Sequence, residues 1–164
     1  MARAAVDSRR RSGVHFDAMT SWTELGDGLQ AAAAGLGTLG DRALAPLGVT
    51  VAQGRVLAAL EAGPMRVSDL VRALRHDQAA VSRLAGRLQA VGLVRRVPVD
   101  GDRRSAQLRL TTRGQQAARD SRRRLAALLG RLTEDLSRRE RSQLEGLLGR
   151  LATRVRAACG DPGP

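Results

Sequence analysis

The sequence contains no lysine, no tyrosine, one phenylalanine, one tryptophan, one cysteine and two histidines. Each shortage excludes something. A lone cysteine, Cys159 near the C-terminus, cannot form an intramolecular disulfide framework, so a reducing compartment is expected. His15 and His76 lie far apart and neither sits in a cluster with ligand spacing, so no metal site is expected. No apolar run approaches the length that spans a bilayer, and the basic N-terminus is not followed by the apolar stretch of a signal peptide. A soluble, cytoplasmic protein without a membrane partner is the expectation. Nothing resembles a nucleophile with its base, a carboxylate pair in a structured context or a phosphate loop, so neither catalysis nor a cofactor is expected. Gly35, Gly37 and Gly40 do have the spacing of a dinucleotide-binding turn. That motif requires a preceding strand, and an alanine-rich helical stretch precedes them instead.

What is abundant is arginine, which supplies all 28 basic residues of a 164-residue chain carrying a net charge of +12. With so much Ala, Gly and Leu alongside, the arginine-only set reflects a GC-rich coding sequence. It also has a physical consequence, because guanidinium forks match phosphates and guanine edges better than ammonium groups do. The charge is localised: residues 1–65 sum to zero, residues 66–109 to +6 and residues 110–164 to another +6. A polyanionic partner is implied, nucleic acid before an anionic membrane surface.

Periodicity divides the chain. Residues 1–13, with Arg9-Arg10-Arg11, read as a disordered basic tail. Residues 14–46 carry Leu25, Leu29, Ala32, Leu36, Leu39 and Ala43 at alternating spacings of four and three, the stripe of an amphipathic helix closed by Pro46. Thr50 and Gln53 have capping-box spacing and open a short helix with Val56, Leu57 and Leu60, which Ala62-Gly63-Pro64 stops. A second short helix is expected over Val67–Leu74. A third runs over Gln78–Val91 behind the N-cap Asp77, with Val81, Leu84, Leu88 and Val91 as its core face. Beyond Gly92 the period falls to two: residues 93–99 and 106–110 flank a turn, Asp100–Ser105, tipped by Arg103 and Arg104. Thr111 or Thr112 caps a long helix, and Ser137 to Glu140 is a second capping box opening the last one. Three short helices followed by a basic hairpin make a winged helix-turn-helix. The expected fold is therefore mainly α with a small two- or three-stranded β-wing, flanked by N- and C-terminal dimerisation helices. Residues 47–111 form the DNA-binding domain, 112–159 the C-terminal dimerisation helices and 160–164 a tail.

If Val81, Leu84 and Leu88 face the core, then Gln78, Ala79, Ser82, Arg83 and Arg87 point outward. Glutamine pairs with adenine edges and arginine with guanine in the major groove. Any solvated face contains such residues, but this one directly precedes a hairpin whose arginines suit a narrow minor groove. Asp102 is placed to orient Arg104 through a charge-assisted hydrogen bond. Arg66 and His76 are candidate phosphate contacts. His15, Phe16, Met19 and Trp22 gather the chain's only aromatics at the start of the first long helix, where they suit either a latch onto a partner subunit or the lining of a ligand cleft. A helical protein that coats nucleic acid without sequence preference is the alternative, although it has no need of a groove-reading hairpin.

From Leu44 to Gly114 the sequence resembles the multiple antibiotic resistance regulator (MarR) family of bacterial winged-helix repressors. Most specific are Gly92-Leu-Val-Arg-Arg96, Asp102-Arg-Arg104 and Leu110-Thr-Thr-Arg-Gly114. The resemblance implies a homodimer whose terminal helices interleave and which grips a palindromic operator in double-stranded DNA. It implies major-groove readers at Gln78, Ser82 and Arg83, a minor-groove arginine at Arg104, and release by a phenolic or other small anionic effector. Two departures stand out. Arg66 replaces a frequent capping threonine, and no cysteine occurs in residues 1–158, which removes the family's redox-sensing route.

Overall fold

In the computed structural model the backbone is described for residues 4–99 and 102–158, and the side chains for residues 22–98 and 106–158. Six helices and one hairpin follow in the order α1 (Ala4–Leu44), α2 (Val51–Ala59), α3 (Val67–Leu74), α4 (Gln78–Ala90), β1 (Val94–Val99), β2 (Asp102–Leu110), α5 (Thr112–Leu132) and α6 (Arg138–Ala158). Short 3₁₀ turns at Ala45–Leu47 and Leu60–Ala62 join α1 to α2 and end α2.

Local chemistry accounts for most boundaries. Pro46 lies in the turn after α1, and Gly48 takes the left-handed conformation at φ 69°. The Thr50 hydroxyl accepts from the Gln53 amide at 3.2 Å while the Gln53 side chain accepts from the Thr50 amide at 2.8 Å, the reciprocal cap expected. Asp41 also accepts from the Val51 amide at 2.7 Å and so fixes the start of α2 to the end of α1. Ser137 and Glu140 cap α6 in the same reciprocal way.

Leu44, Val56, Leu57, Leu70, Val81, Leu88, Val94 and Leu108 are all but inaccessible, and they place one core between α2, α3, α4, the hairpin and the first half of α5. The sheet has two antiparallel strands in register Val94↔Leu110, Arg95↔Arg109 and Arg96↔Leu108. An isolated bridge from Met65 to Leu108 supplies a rudimentary third.

Three expectations need correction. Helix α1 begins at Ala4 rather than near residue 14, so most of the residues expected as a disordered tail have helical backbone. Their Ala and Arg content favours helix intrinsically, which a reading based on charge alone passes over. Val91 does not belong to the core face of α4. It is the C-cap, its backbone has left the helix and it is 48% exposed, while Ala85 takes the buried place at 2%. The turn between the strands is shorter than residues 100–105, because Val99 pairs with Asp102 and the backbone of residues 102–105 belongs to β2. The register shifts between Pro98 and Val99, where proline has no amide hydrogen to give the ladder. The glycines Gly35, Gly37 and Gly40, by contrast, lie inside α1 as the alanine-rich stretch before them predicts.

The candidate nucleic-acid interface

The site is built on the turn between α3 and α4. Arg75 ends α3 in the left-handed conformation, φ 56°, with its amide bonded to the Val71 carbonyl at 2.9 Å. His76 follows and is exposed. Asp77 then resumes extended geometry as the N-cap of α4, its carboxylate accepting from the Ala80 amide at 2.7 Å. That amide, and next among the favourable influences the positive charge of Arg83, hold the Asp77 carboxyl below its ordinary range. Arg83 therefore sits within electrostatic reach of the first turn of its own helix.

Once Val81, Ala85 and Leu88 are buried, the period of α4 decides which residues face out. Gln78, Ala79, Ser82, Arg83 and Arg87 are all exposed, as the sequence predicts. The C-terminus of α4 closes on Gly92 at φ 71°. The Gly92 amide bonds the Gln89 carbonyl at 3.0 Å and the Leu93 amide bonds the Leu88 carbonyl at 2.9 Å, a Schellman end that turns the chain into β1.

The wing is held at its base by Thr111. Its hydroxyl donates to the Gly92 carbonyl at 2.8 Å and accepts from the Gly114 amide at 3.0 Å, capping α5, while its amide bonds the Leu93 carbonyl at 3.1 Å. Gly114 is buried against that same carbonyl. The residues Gly92, Thr111 and Gly114 of the conspicuous sequence motifs thus form one joint between α4, the wing and α5.

Arg66, the N-cap of α3, is exposed and makes no side-chain cap. Asp69 compensates in part, because its carboxylate accepts from the Arg66 amide at 3.3 Å. The Arg72 side chain bonds the same carboxylate and, with the Arg66 amide, lowers its pKa. Asp102, Arg103 and Arg104 have their backbone in β2, and their side chains lie outside the described residues. The same holds for His15, Phe16 and Met19 in α1, whereas Trp22 is 72% exposed. Among the described residues no three His, Cys, Asp or Glu side chains group to hold a metal ion. No single described helix is long and apolar enough to cross a membrane.

Sequence reading missed Arg55. From α2 its guanidinium donates to the Leu74 carbonyl at 3.3 Å, bonding the last residue of α3 just before the turn. Nineteen residues separate the two, and no local pattern announces such a contact. Arg95, Arg96 and Arg109 are exposed on the strands of the wing.

A MarR family model matches residues 47–105. The reduced form of MarR from E. coli is 30% identical with a TM-score of 0.69, covering 77% of this chain and 95% of its own. The chain belongs to the MarR family. A mutant of E. coli MarR complexed with operator DNA is 29% identical, TM-score 0.70, over 77% of this chain and 92% of that one. YusO from Bacillus subtilis is 28% identical, TM-score 0.63, over 84% and 96%. No curated protein matches the sequence. MarR proteins are transcription regulators with a DNA-binding winged helix, and repressors and homodimers are typical of them. The winged helix of this chain is theirs in architecture, with α4 as the second helix of the helix-turn-helix and β1–β2 as the wing.

Proposed function

We propose that this MarR-family regulator is a homodimeric, ligand-responsive repressor that recognises a palindromic operator in double-stranded DNA, with half-sites about one helical turn apart. The observation that carries the reading is the exposed set Gln78, Ala79, Ser82, Arg83 and Arg87 along α4, backed by the buried Val81, Ala85 and Leu88. A helix so oriented offers a glutamine for adenine, arginines for guanine and a small hydroxyl that tolerates close approach. The family relationship adds weight, since a mutant of E. coli MarR with the same architecture was crystallised on operator DNA. In this reading Arg104, flanked by Arg103 and oriented by Asp102, enters the minor groove, while Arg66 and His76 contact phosphates.

Residues 14–46 and 112–159 serve to pair two copies. Support comes from the apolar side chains that the isolated chain leaves in water: Leu25 and Leu36 on α1, Leu129 and Leu132 on α5, Leu147 and Val155 on α6, each 43–59% exposed. Such faces are costly unless covered, and a two-fold pairing covers like with like. A small phenolic or anionic effector is the releasing signal, and Trp22 is its natural reporter if the cluster at the start of α1 lines the cleft. Trp22 fluorescence unmoved by every compound that releases DNA would remove that cluster from consideration.

Gel-shift titration on a selected operator tests the reading. Arg83→Ala should cost about 1–3 kcal/mol and relax base preference, while Arg104→Ala should weaken binding through the wing. Operator affinity unaltered by both substitutions would overturn the site. Equal affinity for random and operator DNA at fixed salt, with a steep salt slope, would instead favour nonspecific coating.

A further inference from the structure

The turn that aims α4 has only three residues, Arg75–Asp77, and it opens in a strained conformation. Arg75 is the one non-glycine residue with positive φ among the described residues, at φ 56° and ψ 44°. An L side chain holds that left-handed conformation only where its surroundings fix it. From within α3, the Arg75 amide bonds the Val71 carbonyl at 2.9 Å. The Leu74 carbonyl lies at the very end of the helix, among the last four that have no amide of a following turn to accept from.

Arg55 supplies that donor from outside. Its guanidinium reaches the Leu74 carbonyl from α2 at 3.3 Å. The support at both ends is rigid, because Val56 and Leu57 hold α2 in the core and Leu70 and Leu74 hold α3 there. No acid among the described residues pairs with Arg55, so no carboxylate draws the guanidinium away from this bond. A cation suits the place, since the carbonyl end of a helix is the negative end of its dipole.

We propose that Arg55 is a positioning residue for base recognition. By holding the Leu74 carbonyl it keeps the strained Arg75 turn in one conformation, and with it the angle at which the start of α4 presents Gln78, Ala79 and Ser82. The clamp on the turn stands on this geometry alone; its consequence for recognition rests on α4 being the operator-reading helix. A phosphate contact adds affinity on any sequence, whereas a positioning residue adds it only where bases are read.

Arg55→Gln in the full chain tests this, and because Arg55 is exposed the substitution leaves the fold in place. In hydrogen exchange without DNA, the Arg75 and Ala80 amides, which bond the Val71 carbonyl and the Asp77 carboxylate, should lose about tenfold in protection, while amides in the second half of α5 keep theirs. In gel-shift titration over a range of salt, operator affinity should fall about tenfold, with random-DNA affinity and the salt slope as in the parent chain. Arg55→Lys, which keeps the charge and can still donate to the carbonyl, should recover most of both losses. Unchanged exchange at Arg75 and Ala80 would overturn the proposal, as would an unchanged operator-to-random ratio in a chain that does discriminate. An equal loss on both DNAs with a smaller salt slope would also overturn it, since Arg55 would then be a phosphate contact. So would a loss in Arg55→Lys as large as in Arg55→Gln. The expected exchange result, with a parent chain that binds operator and random DNA alike, would sink the operator reading and leave the clamp standing.

Discussion

Gly114 shows how one atom constrains a joint. A Cβ there would lie 1.9 Å from the Leu93 carbonyl oxygen and 2.9 Å from its carbon, both rigid backbone atoms, so alanine requires β1 and α5 to separate. Gly114→Ala is expected to destabilise by about 3 kcal/mol or more in chemical denaturation, beyond the usual cost of overpacking a flexible neighbour. Thr111→Val keeps the shape but removes the hydroxyl that caps α5 and bonds Gly92, and should cost about 1–2 kcal/mol in the same measurement. Ser121 points the other way. Its hydroxyl is buried without a hydrogen-bond partner among the described residues, close to where α5 passes Gly54 of α2. Ser121→Ala removes an unmet polar group and should stabilise by about 1 kcal/mol, read as a raised melting temperature. A lowered melting temperature would show that the hydroxyl has a partner.

At the scale of elements, α3, α4 and α6 depend on carboxylates at their first turns. Asp77 accepts from the first turn of α4, Asp69 from Arg72 and the Arg66 amide, and Glu140 from Ser137, and each has a pKa below the ordinary value. A carboxylate depressed by folding contributes stability that is fully present above its unfolded pKa and is lost as pH falls through the folded one. Stability should therefore be level in this respect above about pH 5 and decline as pH drops through and below 3.8, the ordinary value for aspartate. Asp77→Asn, which retains a capping oxygen without the charge, should flatten part of that decline. An unchanged acid profile would assign the decline to other carboxylates. The elements themselves were legible to different degrees. Val67–Leu74 and the start of α4 agree at both ends with the sequence reading, because cap, turn and period all coincide there. Val91 and the start of β2 were misread because a C-cap conformation and a bulge depend on pairing with distant chain, not on local pattern.

For the whole molecule, the exposed leucines of α1, α5 and α6 place the unfinished part of the structure at the two ends of the chain. Leu147, 59% exposed on α6, touches little within its own chain. Leu147→Arg should therefore leave the monomer folded by circular dichroism yet shift sedimentation toward half the parent mass and weaken operator binding. A variant that sediments like the parent would remove α6 from the pairing surface.

The sequence by itself determined most of the periodic and punctuated features: the helices beyond residue 14, where Thr50, Asp77 and Ser137 begin them, and which face of α4 is exposed. These depend on interactions within a few residues, so composition and spacing suffice to read them. Tertiary structure decided what lies between distant segments, such as Arg55 on the carbonyl of Leu74 and Arg122 on Glu61. Guanidinium contacts of that kind are made across tens of residues by long side chains. Among arginines of equal local appearance, only the fold shows that Arg122 has found the carboxylate of Glu61 and Arg123 that of Asp120. The winged helix-turn-helix is thus a jointed device, with Thr111 and Gly114 binding α4, the wing and the long α5 into one body.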